Sequence, residues 1–189
     1  MTDDASPVWG LFGGAFDPPH VGHLCVAALA LALGELDRLL VVPTFDHPFG
    51  KKMAPWADRL AMARLAFAPL GRAEVSGIEE MLPRPSLTLR TVAALREAHP
   101  GVRWRLVVGS DALRDRASWH GFDEVARLAE PLVIGRAGYE PAEGLVIPDL
   151  RSSDLREALA AGRDVRGWLV PAVERYIRAR GLYGAVGRG

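Results

Sequence analysis

The 189-residue sequence has a single cysteine, Cys25, which excludes an intrachain disulfide and a cysteine-based zinc cluster and suits a reducing compartment. It has no excess of charge and no long basic block. Its 23 Lys and Arg balance 23 Asp and Glu, so electrostatic capture of duplex nucleic acid or of an anionic membrane is disfavoured, and any anion site must be local. It has no long apolar run, since residues 26–33 are too short to span a bilayer, and Met1 to Ala5 lack the positive start and apolar stretch of a signal peptide. A cytoplasmic protein with neither a nucleic-acid nor a membrane partner is expected. Neither G-x-G-x-x-G nor G-x-x-x-x-G-K-[ST] occurs, which removes two familiar phosphate sites. No repeat, low-complexity tract or linker breaks the chain. What remains is an ordinary globular composition, 49% hydrophobic and 24% charged, long enough to bury a core as a single domain over 1–189.

The order of elements reads as alternating strands and helices. Val8-Trp9-Gly10-Leu11-Phe12 is a short apolar strand ending in Gly13-Gly14, and a small-residue helix over 21–33 follows, closed by Gly34. Within that helix Cys25 is expected to be packed. Residues 39–42 form a buried strand stopped by Pro43, and 57–68 form a helix stopped by Pro69. A strand over 73–78, a helix over 86–99 and a strand over 104–108 come next. Then follow a helix at 122–128, extended segments at 131–134 and 145–147, and closing helices at 153–161 and 171–180. Buried strands alternating with helices call for a doubly wound, Rossmann-like parallel sheet with helices on both faces. Such sheets bind ligands beyond the carboxyl ends of their strands. That rule selects the segments after Phe12, Val42 and Val108, which are rich in Gly, His, Asp and Lys.

Gly13-Gly14-Ala15-Phe16-Asp17-Pro18-Pro19-His20-Val21-Gly22-His23 follows a strand and opens a helix. Glycines there let a phosphate approach the backbone, and the helix start offers free N–H groups and the positive end of its dipole. His20 and His23, three apart on the first turn, face the same way and can donate to phosphate oxygens as charge develops. Taken singly, each histidine also reads as an exposed or capping residue, and Asp17 as a brace for the turn.

This string resembles the signature of the HxGH nucleotidyltransferase superfamily, and within it the bacterial nicotinate-nucleotide adenylyltransferases. Gly109-Ser110-Asp111-Ala112-Leu113 with Trp119-His120 resembles the central block of that family, and Arg151-Ser152-Ser153-Asp154-Leu155-Arg156 resembles its second phosphate motif. The ending Leu169-Val170-Pro171-Ala172-Val173, Tyr176-Ile177 and Gly181-Leu182-Tyr183 is also typical, so the likeness extends over nearly the whole chain.

The resemblance implies transfer of AMP from ATP, with Mg²⁺ accompanying it, to nicotinate mononucleotide, giving deamido-NAD and pyrophosphate. Chemistry of this kind rests on alignment and charge stabilisation, which agrees with a site rich in donors and without a nucleophilic side chain. It implies that His20 and His23 hold the phosphates of ATP, His23 mattering most in the transition state, and that Arg156 binds the leaving pyrophosphate with Ser152 and Ser153. Read without it, 153–156 is a helix cap with a surface arginine. Gly13, Gly14, Phe16, Gly109 and Asp111 fall on the ATP side, and Thr88 and Trp119 on the acceptor side. Asp111 also reads as a helix cap and Trp119 as a core residue. No dedicated metal ligand is evident, and self-association into a homo-oligomer is left open.

Three departures from the family pattern fall at the acceptor side or the second motif. His47-Pro48-Phe49-Gly50-Lys51-Lys52 stands where the family keeps Pro-Pro-His and a phosphate-binding lysine, which leaves Lys51 and Lys52 both as candidates or as a solvated pair. Leu87 and Arg90 replace a Tyr and an Asp of the S-Y-T-x-D-T stretch, and Arg151 replaces a Ser. Arg90 is either a surface residue or one that alters the acceptor's charge preference. Nicotinamide mononucleotide or another phosphorylated acceptor such as phosphopantetheine, or a nucleotide-binding sensor without catalysis, are the rival readings.

Overall fold

The computed structural model describes residues 6–114, 119–138 and 146–185. Met1 to Ala5, and Leu145 of the expected strand 145–147, lie outside the described residues. The strands are β1 (Val8–Gly14), β2 (Arg38–Pro43), β3 (Ala73–Val75), β4 (Arg103–Gly109), β5 (Glu130–Arg136) and β6 (Val146–Ile147). The helices are α1 (Val21–Leu33), α2 (Trp56–Phe67), α3 (Thr88–Ala98), α4 (Ser110–Arg114), α5 (Phe122–Leu128), α6 (Ser152–Ala160) and α7 (Pro171–Arg180). Short 3₁₀ turns occupy Ile78–Met81 and Leu182–Gly184. The strands pair in the order β3-β2-β1-β4-β5-β6, every pair parallel.

Alternation along the strands divides the core in two, because successive side chains of a strand point to opposite faces. Phe12, Leu39 and Val41 face a layer built from Val26 and Ala30 of α1, Met62 and Phe67 of α2, Leu155 of α6 and Ile177 of α7. Leu11, Leu40, Val42, Leu106 and Val108 face Val92 and Leu95 of α3 and Val125 of α5. The doubly wound sheet expected from the sequence is therefore present. Gly10 in β1 lets Leu36 and Leu39 pack against bare backbone, since a Cβ there would lie 2.6 and 2.7 Å from their methyl carbons.

Some boundaries moved. The expected strand 73–78 stops at Val75, because Ser76 donates to Val41 O while Ile78 opens the 3₁₀ turn. Helix α3 begins two residues later than expected, after extended Leu87. Helix α4 was not among the expected elements, although Asp111 could be read as a helix cap; it lies inside the helix and not at its cap. Cys25 is exposed, because it projects from the solvent side of α1 while Val26 and Ala27 take the core side. Among the described residues, no helix is long and apolar enough to cross a membrane.

Candidate active site

The sheet order reverses between β1 and β4, and loops leaving adjacent strands in opposite directions open a crevice at that point. A cleft of about 300 Å³ lies there, floored by Gly13 and Gly14 of β1 and by Val108 and Gly109 of β4, with His23, Asp111 and Arg136 on its walls. A second cavity of about 480 Å³ adjoins it, walled by Phe49, Leu87, Trp119 and His120. Thr44, His47, Glu79, Thr88 and Trp119 border both spaces.

The two imidazoles stack at the start of α1, with ring centroids 3.7 Å apart and planes 28° from parallel. His23 reaches the cleft, whereas His20 is 3% exposed and stands behind it. The His20 main-chain N–H donates to His23 Nδ1 at 3.2 Å, so the pair caps the start of α1. That bond leaves Nε2–H as the donor of a neutral His23. Gly22 permits the arrangement: a Cβ there would lie 3.0 Å from His20 Nδ1. Burial, reinforced by the Arg136 cation, lowers the His20 pKa to about 4. His23 is held well below its usual value by burial first, then by His20 and Arg136. Both rings are neutral at pH 7, and each keeps one N–H.

The second motif docks on the first across some 130 residues of chain. Ser152 Oγ donates to Pro18 O at 3.0 Å, and Arg156 Nη1 donates to Asp17 O at 2.6 Å, with the Asp17 carboxylate 3.8 Å away. Asp17, itself buried, also accepts from Ala54 N and from Tyr183 OH at 2.7 Å. Its carboxylate thus ties the turn to distant segments of the chain rather than bracing it from within, and burial with Asp17 beside it raises the Tyr183 pKa. Ser153 Oγ turns instead to Asp154. The first residues of α6 thus sit beside the loop after β1, with main-chain N–H groups that a helix start leaves without intrahelical partners.

Phe16 departs from its expected place on the ATP side. Its side chain is 1% exposed and packs edge-on against Phe12, Phe67 and the His23 ring, the last at 5.0 Å between centroids. An aromatic ring among aromatic rings gains more from burial than from a wet phosphate site. Phe16 adopts φ +47°, and Gly14 makes room for its ring, since a Cβ on Gly14 would lie 3.2 Å from Phe16 Cζ. Its side chain backs His23 and does not line the cleft. Lys51 and Lys52 are likewise not on the cleft wall; both are exposed, beyond a turn closed by the Gly50 N–H to His47 O bond.

On the far wall, Asp111 forms a short ion pair with Arg136 of β5, whose guanidinium also meets Asp149 at 3.1 Å. Arg136 N donates to Ser110 Oγ at 2.9 Å, which ties β5 to the start of α4. Arg136 was missing from the sequence-derived set, although the rule that led to the ends of β1, β2 and β4 applies equally to the end of β5. Thr88 and Trp119, the two residues expected to bind the acceptor, both border the two spaces, and Trp119 also packs on the core beside Phe122. Arg90 points away from the cavity and donates to Pro83 O and Pro85 O, so it pins the loop before Ser86. Arg151 pairs with Asp149.

Two buried charges escaped sequence reasoning. Arg59 of α2, 1% exposed, donates to Ala15 O, Thr44 O, Phe45 O and Ala54 O, and so fastens the loops after β1 and β2 to one another. Glu79 accepts from Phe45 N at 3.0 Å and Thr91 Oγ1 at 2.9 Å on the border of the two spaces. In sequence Arg59 is one charge among those of a helix and Glu79 falls between the expected strand 73–78 and helix 86–99, with no spacing to mark either. Among the described residues, no group of three or more His, Cys, Asp or Glu is placed to hold a metal ion.

Fold and site together define a doubly wound α/β protein with paired imidazoles beside a cleft at the switch point of its sheet. The profile of the cytidylyltransferase-like family matches residues 11–158, from β1 into α6, and the chain belongs to that family. A protein of Anaeromyxobacter sp. (strain K), described as a probable nicotinate-nucleotide adenylyltransferase, is 44% identical over 177 residues, covering 92% of this chain and 95% of its own length. One of Thermus thermophilus with the same description is 37% identical over 182 residues, covering 92% and 98%. The solved structure of Plasmodium falciparum nicotinic acid mononucleotide adenylyltransferase, complexed with NaAD, superposes with a TM-score of 0.81 at 20% identity, covering 95% of this chain and 98% of that one. At that identity the structure speaks for the fold.

Proposed function

We propose that this chain is an adenylyltransferase that moves AMP from ATP to nicotinate mononucleotide, forming deamido-NAD and pyrophosphate in the cytoplasm. The observation that carries the reading is His23, neutral and fixed by the His20 N–H, presenting Nε2–H to a cleft at the sheet's switch point. The full-length relatives described as nicotinate-nucleotide adenylyltransferases supply the reaction class.

In this reaction an oxygen of the acceptor phosphate attacks the α-phosphorus of ATP in line, and the bond to the β-phosphate breaks. His23 Nε2–H steadies the added negative charge on the α-phosphate oxygens. In this reading pyrophosphate leaves toward the start of α6 and Arg156, which lie next to the loop of β1. On the same reading ATP would enter as its Mg²⁺ complex, the ion carried by phosphate oxygens, which would balance the charge of the departing pyrophosphate. The base of the acceptor enters the second cavity beside Trp119, whose flat face suits a pyridine ring.

The test is pyrophosphate release from MgATP with nicotinate mononucleotide, nicotinamide mononucleotide and phosphopantetheine supplied separately. A strong preference for the nicotinate acceptor is expected. A preference for the amide would replace the substrate, and silence with all three alongside ATP binding would replace enzyme by sensor.

A further inference from the structure

The loop after β2 turns one side chain inward and two outward. Its tip closes on itself through the Gly50 N–H to His47 O bond at 2.9 Å, with Gly50 at φ +61°, a conformation that glycine adopts without strain. Lys51 and Lys52 therefore leave the tip toward solvent, and His47 is left facing the seam between the two cavities. The Phe49 N–H lies 3.3 Å from His47 Nδ1 and donates to it. Nδ1 is then the acceptor nitrogen of a neutral ring, and the proton sits on Nε2, on the opposite edge. Burial, with Lys51 and Arg59 adding to it, favours that neutral form. Across the seam, the Glu79 carboxylate already accepts from Phe45 N and Thr91 Oγ1, and its charge repels any anion brought close to it.

A phosphorylated nucleoside lying across this seam meets an acceptor group at Glu79 and a donor at His47. Its hydroxyls suit the first and its phosphate the second. We propose that His47 is the acceptor-phosphate ligand of this loop, donating from Nε2–H to the 5′-phosphate of the mononucleotide, in place of either lysine. The inference rests on the adenylyl-transfer reading for the identity of that mononucleotide.

Steady-state kinetics on His47→Ala, His47→Gln and the Lys51→Ala/Lys52→Ala double variant separate the candidates. A glutamine places an N–H donor near the position of Nε2, and alanine places none. The expected result is a rise of about tenfold or more in KM for nicotinate mononucleotide with His47→Ala, the size of one lost hydrogen bond to a charged group. KM for ATP should stay within about twofold, and His47→Gln should recover most of the loss. An unchanged acceptor KM in His47→Ala overturns the proposal, and so does a rise confined to the double-lysine variant. Calorimetric titration of nicotinate mononucleotide without ATP keeps the two readings apart. Wild-type protein that binds the mononucleotide without turnover removes the adenylyl-transfer reading and leaves His47 to be judged by the affinity of His47→Ala. Wild-type protein that neither binds nor turns over this mononucleotide overturns both.

Discussion

A histidine can stabilise phosphoryl transfer only if its proton is on the right nitrogen and its ring is held still. The structure meets both demands at His23 with local means. The His20 N–H fixes the tautomer, Phe16 packs against the ring, and burial with the nearby Arg136 cation keeps the imidazole neutral. Replacing His23 by alanine removes the donor and takes one ring contact from the core residue Phe16, leaving the rest of the core in place. A fall in kcat on the order of a hundredfold is expected, with a much smaller change in thermal stability, measurable by pyrophosphate release and a melting curve on the same sample. Retained turnover would remove His23 from the mechanism. The pattern of histidines three apart after a glycine pair was legible because it is local. The role of Phe16 was not, because nothing in its spacing says which way the ring turns.

Elements meet the site through loops, and these loops are held by a charge rather than by apolar contact. Arg59, on the buried side of α2, reaches the carbonyls of Ala15, Thr44, Phe45 and Ala54, which belong to the segments following β1 and β2. One planar guanidinium with five donors can serve several acceptors at once, and an ammonium cannot match that geometry. Arg59→Met leaves those carbonyls without their donor inside the protein. A loss of at least about 3 kcal/mol is expected in urea unfolding, at the level of a few uncompensated polar groups. Arg59→Lys should fail to restore it. Equal stability of the wild type and Arg59→Met would show that the loops hold their own shape. The sequence places Arg59 in helix α2 but gives no reason to bury it, since only the packing of α2 under two separate loops brings the carbonyls to it.

At the scale of the whole molecule, stability is tied to the charge state of the site. The folded pKa of His20, lowered to about 4, lies below its usual value of 6.5. Between these values the unfolded chain takes up a proton that the folded chain refuses, so stability is present in full above pH 6.5 and is lost as pH falls toward 4. The largest contribution of His20 over that window is about 3 kcal/mol, and His23, shifted in the same direction, adds to it. Urea unfolding at pH 7.5 and pH 5 should show a lower midpoint in acid, with the difference reduced in His20→Gln. An equal difference in that variant would place the acid sensitivity elsewhere. The same loop also gathers distant parts of the chain, because Asp17 accepts from Ala54 and Tyr183 while Arg156 and Ser152 bond the carbonyls of Asp17 and Pro18.

The order of strands and helices, the glycine and histidine string after β1, the motif opening α6 and the tryptophan of the acceptor side can all be read along the chain. Each depends on periodicity or on residues close together in sequence. Tertiary structure alone decided that Arg136 faces Asp111 and Asp149, that Glu79 borders two cavities, and that His47 rather than Lys51 or Lys52 faces their seam. These are single polar residues whose partners arrive from other strands or from a turn whose direction local pattern does not encode. A parallel sheet collects the ends of its strands at one edge whatever their separation in sequence, so the site is assembled by topology from parts that the sequence supplies one at a time.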